Sequence, residues 1–589
     1  MGVYYFCPDN ILFELFFYVP LQRFIVGMKQ KVLKTWRSCC LMAACLITTG
    51  CQVSAQTSGL PVITIKAETE LNAQKKVTAH MEMDGYEGDI GIKLRGNSSL
   101  SFNQKKYTFE LRDENGNEQD MSLLGLPAHS DWVLLAPYND VSMVRDPLAF
   151  QLWREMGHWG PRTKMVELVF NGSYRGIYIL SEAIKRSEDR VAVNKLKKSD
   201  VKGRELTGGY ILRIDTYNDD DATFPSKIPG VGPGIMTSQI TWSCIYPKKN
   251  SLQPEQMAYI QNYVDTMEAV IQSAGFADPE TGYARYIDVP SFVDYFIHTE
   301  LSLNADGYKR SAYFYKEKLQ EDGTGGKMHA GPVWDYNLAY GNNSFCNANQ
   351  FEDWCYEGCN TQPTPAFWQR LLQDPAFRKA VKVRYQELRK TVLSTKHLYD
   401  IIDNQAKLLQ KAKDYHFQTY PELLVDKNRE QQPNRPQQPN RPQQPNRQQP
   451  PMGFGGGFGG GGFGGGFGGN FGGGFGGGFG GGGGFGMFAG RNFNFDPLAM
   501  FTAYRVSSYE EEITILKQWL ADRLDFLDKN IDRFDRDWEP RVQELREVQM
   551  QGNGFPFGGG APFGGGAPFP GGGMPFPGGG FPGRFVPLQ

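Results

Sequence analysis

Between residues 60 and 250 apolar and polar positions alternate with a period of two, the pattern of strands that bury one face. LPVITIKA, KVTAHMEM, DIGIKLRG, KKYTFELRD, DWVLLAP, KMVELVFNG, RGIYILSEA and GYILRID are short and bounded by Gly, Asn, Asp or Pro, and each predicts a strand. Within this run SMVRDPLAFQLWREMG carries Leu148, Leu152 and Trp153 at helical spacing and predicts a helix. From about residue 254 the period lengthens. PEQMAYIQNYVDTMEAVIQ and VPSFVDYFIHTELSLNA predict helices, interrupted by a strand pair around SAYFYKE and AGPVWDY. A strand-rich front half and a helix-rich back half predict an α+β fold of two lobes, with the seam between them as the natural place for a ligand.

The pattern then breaks down. Residues 431 to 451 repeat QQPNRP, 452 to 486 repeat GGGF, and the tail from 551 repeats GGGAPF and GGGMPFP. Such compositions cannot bury enough apolar surface to order themselves and predict flexible chain. Between them YEEEITILKQWLADRLDFLDKNIDRF is periodic at Ile513, Leu516, Leu520, Leu524 and Leu527, with Ser507 and Ser508 before it as a cap. This helix must pack on something. The main domain is therefore placed at 57–430, the low-complexity insertion at 431–496, the helical remainder of the same domain at 497–550 and the tail at 551–589. Between Tyr420 and Thr502, and after Gln551, there is no Ser, Thr or Tyr, so these tracts cannot be phosphorylated on hydroxyls.

The first 55 residues read as an export segment. From Met28 a positive start, MKQKVLKTWRS, leads into the apolar CCLMAACLITTG and then CQVSAQ. Residues 1–27 precede it as a separate aromatic-rich stretch, and Met28 is the expected initiator. Cleavage after Ala55 and lipid attachment at Cys51 both remain open, and the apolar run is shorter than the roughly 20 residues of a membrane span. The expected location is the periplasm, outer membrane or cell surface, with no transmembrane span once the signal is removed. Downstream only Cys244, Cys346, Cys355 and Cys359 remain, three of them within CNANQFEDWCYEGC. In an oxidising compartment that spacing favours a disulfide over zinc, since no fourth ligand is near. A net charge of -2 over 589 residues gives no reason to expect nucleic acid as a partner.

Local clusters carry the candidate chemistry. In LRGNSSLSFNQKKYTFEL, residues 94 to 111, pairing of the flanking strands brings Arg95 towards Lys106 beside a GNSS turn whose free backbone donors suit phosphate oxygens, although an ordinary solvated hairpin has the same composition. Asn304 and Asp306 stand where the helix FIHTELSLNA should stop, and Asp335 follows Trp334 in AGPVWDYNLAYG. One carboxylate to accept a hydroxyl proton and another to hold magnesium on ATP are what phosphoryl transfer requires, while singly each acid suits a cap or turn. Glu182, ending YILSE, is placed to brace a lysine by ion pairing.

LRGNSS with KKYTFEL, MVRDPLAFQLWREMG, VELVFNGSYRGIYILSEAIKR, LNADGYKRSAYFY and GPVWDYNLAYG, in that order, resemble the CotH-type atypical protein kinases, named after a spore coat protein. The resemblance runs from about residue 60 to 420 and resumes at about 505 to 530. It implies a divergent two-lobed protein-kinase-like fold that binds ATP with Mg2+ or Mn2+ and phosphorylates Ser or Thr of a protein. By that resemblance Asp306 is the catalytic aspartate and Asp335 the metal ligand, with Arg95, Lys106 and Glu182 on the nucleotide side. Two positions depart from the family pattern. Ser311 stands where an asparagine is common, and Asn337 where a second acid often follows the Trp-Asp pair; both changes weaken a metal site, though Asn304 and Asn337 keep carbonyls able to coordinate.

Two readings follow. One is a protein Ser/Thr kinase acting on an exported or surface protein, which must find ATP outside the cytoplasm. The other is a catalytically weak or inactive surface or matrix module that self-associates through its Gly/Phe tracts. Deleting residues 431 to 495 separates them: nucleotide binding survives in the kinase, whereas light scattering shows loss of self-association in the assembly protein.

Overall fold

The structure is a computed structural model that describes residues 58–216, 220–232, 238–359, 363–425, 498 and 502–535. The export segment with Cys51, the insertion at 431–496 and the tail at 551–589 lie outside them. The chain divides into one unit ending at Leu60 and another from Pro61 onward. In the first, only Ser58 to Leu60 are described, and the Leu60 amide donates to the Ser58 hydroxyl at 3.1 Å.

In the second unit the period-two segments form β1 (Val62–Lys66), β2 (Val77–Met83), β3 (Tyr86–Arg95), β4 (Lys106–Leu111), β5 (Asp131–Leu135), β6 (Thr163–Phe170) and β7 (Ser173–Glu182). They close a barrel in the order β1-β2-β3-β4-β5-β7-β6, sealed by parallel pairing of β1 with β6. Alternation explains the closure. Along β4, Tyr107, Phe109 and Leu111 point into the core with Ile90 and Ile92 of β3 and Trp132 and Leu134 of β5, while Thr108 and Glu110 face outward.

The next strands leave the barrel. β8 (Tyr210–Ile214), β9 (Ala222–Pro225) and β11 (Thr241–Tyr246) join β12 (Ala312–Lys316) and β13 (Met328–Ala330) in a sheet ordered β13-β12-β8-β11-β9, and β10 (Gly230–Val231) pairs with β14 (Thr364–Pro365). The fold is α+β as expected, but its division falls elsewhere: the barrel ends at Glu182, and strands of the front half pair with strands of the back half. The second member of the expected strand pair is Met328–Ala330; GPVWDY, just after it, is not a strand, and the chain turns there at Asp335 with φ 58°.

Eight helices occur among the described residues: α1 (Arg145–Glu155), α2 (Pro254–Gln272), α3 (Val289–Ser302), α4 (Ala366–Leu371), α5 (Pro375–Arg389), α6 (Thr395–Leu409), α7 (Lys413–Thr419) and α8 (Tyr509–Asn530). No helix among them is long and apolar enough to cross a membrane. Cys346 and Cys359 form a disulfide, while Cys244 and Cys355 stay free.

The helix after the low-complexity tract is α8. Its N-cap is Ser508, whose hydroxyl accepts the Glu511 amide at 3.1 Å, and the Glu511 carboxylate reaches back to the Ser507 amide at 2.8 Å. Leu516, Leu520, Leu524 and Leu527 are buried, while Ile513 is only half-buried and Glu512 takes the inward place beside it. Glu512 meets the fully buried Arg145 of α1 at 2.6 Å, and Arg145 also holds Asp140 at 2.6 Å. Further along α8, Arg523 donates to Glu300 O at 2.9 Å and to Phe351 O and Asp353 O at 2.6 Å. Trp519 lies over Gly341, where a side chain would start 2.6 Å from the indole.

Removing one partner of a buried ion pair leaves a charge without compensation. Glu512→Ala is expected to lower the unfolding free energy by about 3–5 kcal/mol, read as a lower urea midpoint, and Arg145→Met in the same chain to recover part of that loss.

Candidate functional site

The β3–β4 hairpin ends with Arg95 opposite Lys106. Their connection is longer than a plain turn, with a 3-10 turn over Ser98–Ser101 in which the Leu100 and Phe102 amides, just beyond the GNSS stretch, bond to Asn97 O and Ser99 O. Gly96 is required where it stands: at φ 119° any Cβ would lie 1.9 Å from the Ser99 hydroxyl.

Lys106 is buried, and its ammonium stands 3.9 Å from Asp335 Oδ1. The other oxygen of Asp335 accepts from the Ser311 hydroxyl at 3.0 Å. The Asp335 side chain keeps 42% of its surface exposed, so it presents its carboxylate to solvent between these partners. Arg95 lies over the ring of Trp334 at 5.1 Å, and Trp334 stacks on Phe150 of α1. The residue after Asp335, Tyr336, donates its amide to Asp146 Oδ1 at 2.6 Å. Burial, opposed by Lys106 and reinforced by the Asp335 charge, pushes Asp146 up to about 7.

Asp306 follows α3 by one short turn. The Asn304 side-chain oxygen accepts the Asp306 amide at 3.2 Å, so the asparagine shapes the turn that carries the acid. Asp306 is half-buried. Its Oδ1 is shielded from solvent and makes no hydrogen bond, with the Arg310 guanidinium the nearest ion-pair partner at 3.9 Å. Burial raises its pKa above the ordinary aspartate value, Arg310 and Lys309 oppose the shift, and Asp215 and Asp335 add to it. Asp215 comes within reach because β8 pairs with β12: Ile214 faces Ala312, which brings Asp215 level with Ser311. Arg213 holds Asp215 at 3.3 Å.

The expected residues do not all converge. Glu182 braces no lysine: it is fully buried and bound by Arg162 through both carboxylate oxygens, at 2.8 and 2.9 Å, with Arg190 at 3.9 Å. The strand register explains why. Leu135, level with Lys106 across β4 and β5, faces Ile179 in β7, three residues or about 10 Å short of Glu182. Asn337 donates its amide to Asn139 Oδ1 at 2.8 Å. Asp146, Asp215 and Arg310 enter the site without having been singled out in the sequence. An aspartate before proline at a helix start and one just past a strand look like a cap and a turn.

Asp215, Asp306 and Asp335 do not crowd together as a ready-made metal cage. The one group of three candidate ligands that meets common ligand distances among the described residues is His80, Glu82 and Glu87, at the opposite end of β3. An octahedral cation held by one or two carboxylates together with phosphate oxygens and water needs no such cage.

A family model described as CotH kinase protein matches residues 92–438. The chain is also similar to the inner spore coat protein H of Bacillus subtilis (strain 168), 24% identical over 306 residues, which cover 52% of this chain and 72% of that protein.

For Asp146, a folded pKa raised from the ordinary carboxylate range to about 7 means that the folded state holds the proton more tightly. The stability this contributes is present at low pH and is lost as pH rises through about 7. Asp146→Asn keeps the acceptor for Tyr336 and removes the titration. Thermal melts from pH 4 to 8 are therefore expected to show the variant gaining on the wild type as pH rises.

Proposed function

The chain belongs to the CotH kinase protein family, and from that premise we propose that it is an ATP- and divalent-metal-dependent protein kinase. It transfers the γ-phosphate to a Ser or Thr hydroxyl of an exported or surface protein, on a divergent two-lobed protein-kinase-like fold. The observation that carries this reading is the meeting of Lys106 from the barrel with Asp335 from the loop after β13, 3.9 Å apart, on the side where Asp306 leaves α3.

The residues present fit a divalent cation. Asp335 is part-exposed, Asp306 keeps a shielded oxygen with no hydrogen bond, and Asp215 and Asp335 both disfavour charge on Asp306, a repulsion that a cation relieves. Asp335 would hold it, with the side-chain carbonyl of Asn337 as a further ligand. Bound there, Mg2+ or Mn2+ supplies neutralisation of phosphate charge. Lys106 and Arg95 pair with phosphate oxygens, and Ser311 orients Asp335 through its hydroxyl. The solvent-facing part of the Asp306 carboxylate accepts the proton of the attacking hydroxyl, and a pKa raised by burial makes it a better base than an exposed aspartate. Glu182 stands apart from these steps.

Export is part of the proposal. The Cys346–Cys359 disulfide supports an oxidising compartment, and similarity to a spore coat protein supports a surface location. One observation favours the second reading, an inactive binding module: Asn304 spends its side-chain oxygen on the Asp306 amide and Asn337 is tied to Asn139.

Thermal shift with ATP, with and without Mg2+ or Mn2+, tests the proposal. A metal-dependent rise in Tm is expected, lost in Asp335→Ala. Asp306→Ala is expected to abolish phosphate transfer with ATP affinity within a few fold of wild type. Absence of any shift refutes the kinase reading and leaves the binding module.

A further inference from the structure

The loop from Cys346 to Cys359 lies behind the proposed site. The disulfide joins its ends across a sequence separation of 13, and Cys355 within it keeps its thiol. That thiol donates to Asn304 O at 3.0 Å, and burial raises its pKa well above the ordinary value, so it stays protonated as a donor. Asn304 in turn takes the Asp306 amide on its side-chain oxygen at 3.2 Å. On the other flank Glu300 accepts the amides of Cys355 and Tyr356, both at 2.8 Å, and the hydroxyl of Tyr308 at 2.9 Å. One hydrogen-bonded network thus spans the cysteine loop and both sides of Asp306.

The loop's conformation is a demanding one. Cys346 stands at φ 55°, in the left-handed region that costs most residues with a Cβ, and Asn347, of a type that tolerates it, follows at φ 58°. A covalent tie at Cys346 restrains the chain there, while Arg523 and Trp519 hold the carbonyls of Phe351, Asp353 and Asn349 further along the loop.

We propose that closure of the Cys346–Cys359 disulfide assembles the turn that carries Asp306, with Cys355 and Glu300 as its positioning residues, so that the protein gains phosphotransfer competence only once it is oxidised. The inference rests on the role given to Asp306 above. In the redox step the two thiols lose two protons and two electrons and form the S–S bond. The electrons reduce the disulfide of an oxidised dithiol protein or small-molecule disulfide to two thiols, by way of a mixed disulfide. Such oxidants prevail outside the cytoplasm, so a chain of this design is silent during synthesis and becomes competent after export.

The test compares the full chain in three states: oxidised, reduced with dithiothreitol, and reoxidised with oxidised glutathione. Two readouts are taken. Amide hydrogen exchange over residues 300–311 is expected to quicken about tenfold on reduction and to recover on reoxidation. Turnover with ATP and a generic Ser/Thr protein acceptor is expected to fall by at least about tenfold with the KM for ATP held within about threefold, a split that general loosening of the fold would not give. Cys346→Ser with Cys359→Ser should match the reduced state in either atmosphere. Cys355→Ala should lower turnover with the disulfide intact, and Cys355→Ser, which keeps a donor, should restore it. Unchanged exchange on reduction overturns the inference, as does turnover indifferent to reduction in an active protein. If the oxidised chain transfers no phosphate, the kinase reading falls, and the exchange readout alone still decides whether the disulfide holds the turn.

Discussion

A guanidinium cannot shed its charge inside a protein, and Arg145 is buried completely. Its partners are therefore obligatory: Asp140 ahead of α1, Glu512 and Tyr504 from the segment beyond the low-complexity tract, and the carbonyl of Ala339. The next residue, Asp146, faces the other way and captures the Tyr336 amide. Two adjacent side chains at the start of α1 thus fasten both ends of the loop that begins at Asp335. Arg145 also ties α8 to this loop through Glu512, so the helix after the tract takes part in fixing the geometry around Asp335.

That fastening keeps the backbone in conformations it would otherwise leave. Leu303, Ser311, Asp335 and Tyr340 all adopt positive φ, between 46° and 58°, and none is glycine. Each such residue costs on the order of 1–3 kcal/mol, which persists only where the surroundings over-determine it. Here they do. The Tyr340 amide bonds Ser302 O at 2.7 Å, the Ser311 hydroxyl meets Asp335, and Asp146 holds Tyr336. This strain is concentrated around Asp306 and Asp335, at positions where ordinary turns place glycine or asparagine.

Much of this was legible in the sequence because it is local. Alternation marks every barrel strand, and the cap and leucine spacing mark α8 with its N-terminus at Ser508. What was lost is long-range. Nothing in GYILRID says that it pairs with SAYFYKE about 100 residues on instead of extending the barrel. The sequence suggests a lysine for Glu182, whereas the arginine that claims it, Arg162, stands opposite it in the β6–β7 hairpin, one residue before β6, a register that the sequence alone does not specify. Glu512 is one of three acids in the first turn of α8, and its burial follows from a partner 367 residues away. The site shows the same divide. Asp306 and Asp335 are conspicuous beside helix-end and Trp-Asp signals, whereas Asp215 gains its meaning from the register that levels it with Ser311.

The chain leaves the described domain at Val425 and re-enters before Val506, and these two residues share a hydrogen bond, Val425 N to Val506 O at 2.9 Å. Exit and entrance are thus a single ladder rung apart. The entropic cost of closing a segment between fixed, adjoining ends grows only with the logarithm of its length, about 0.6 kcal/mol per doubling. Adding or removing GGGF copies therefore changes the closure cost of the domain only slightly. The length of the tract is thus energetically almost uncoupled from the fold and from the residues around Asp306 and Asp335.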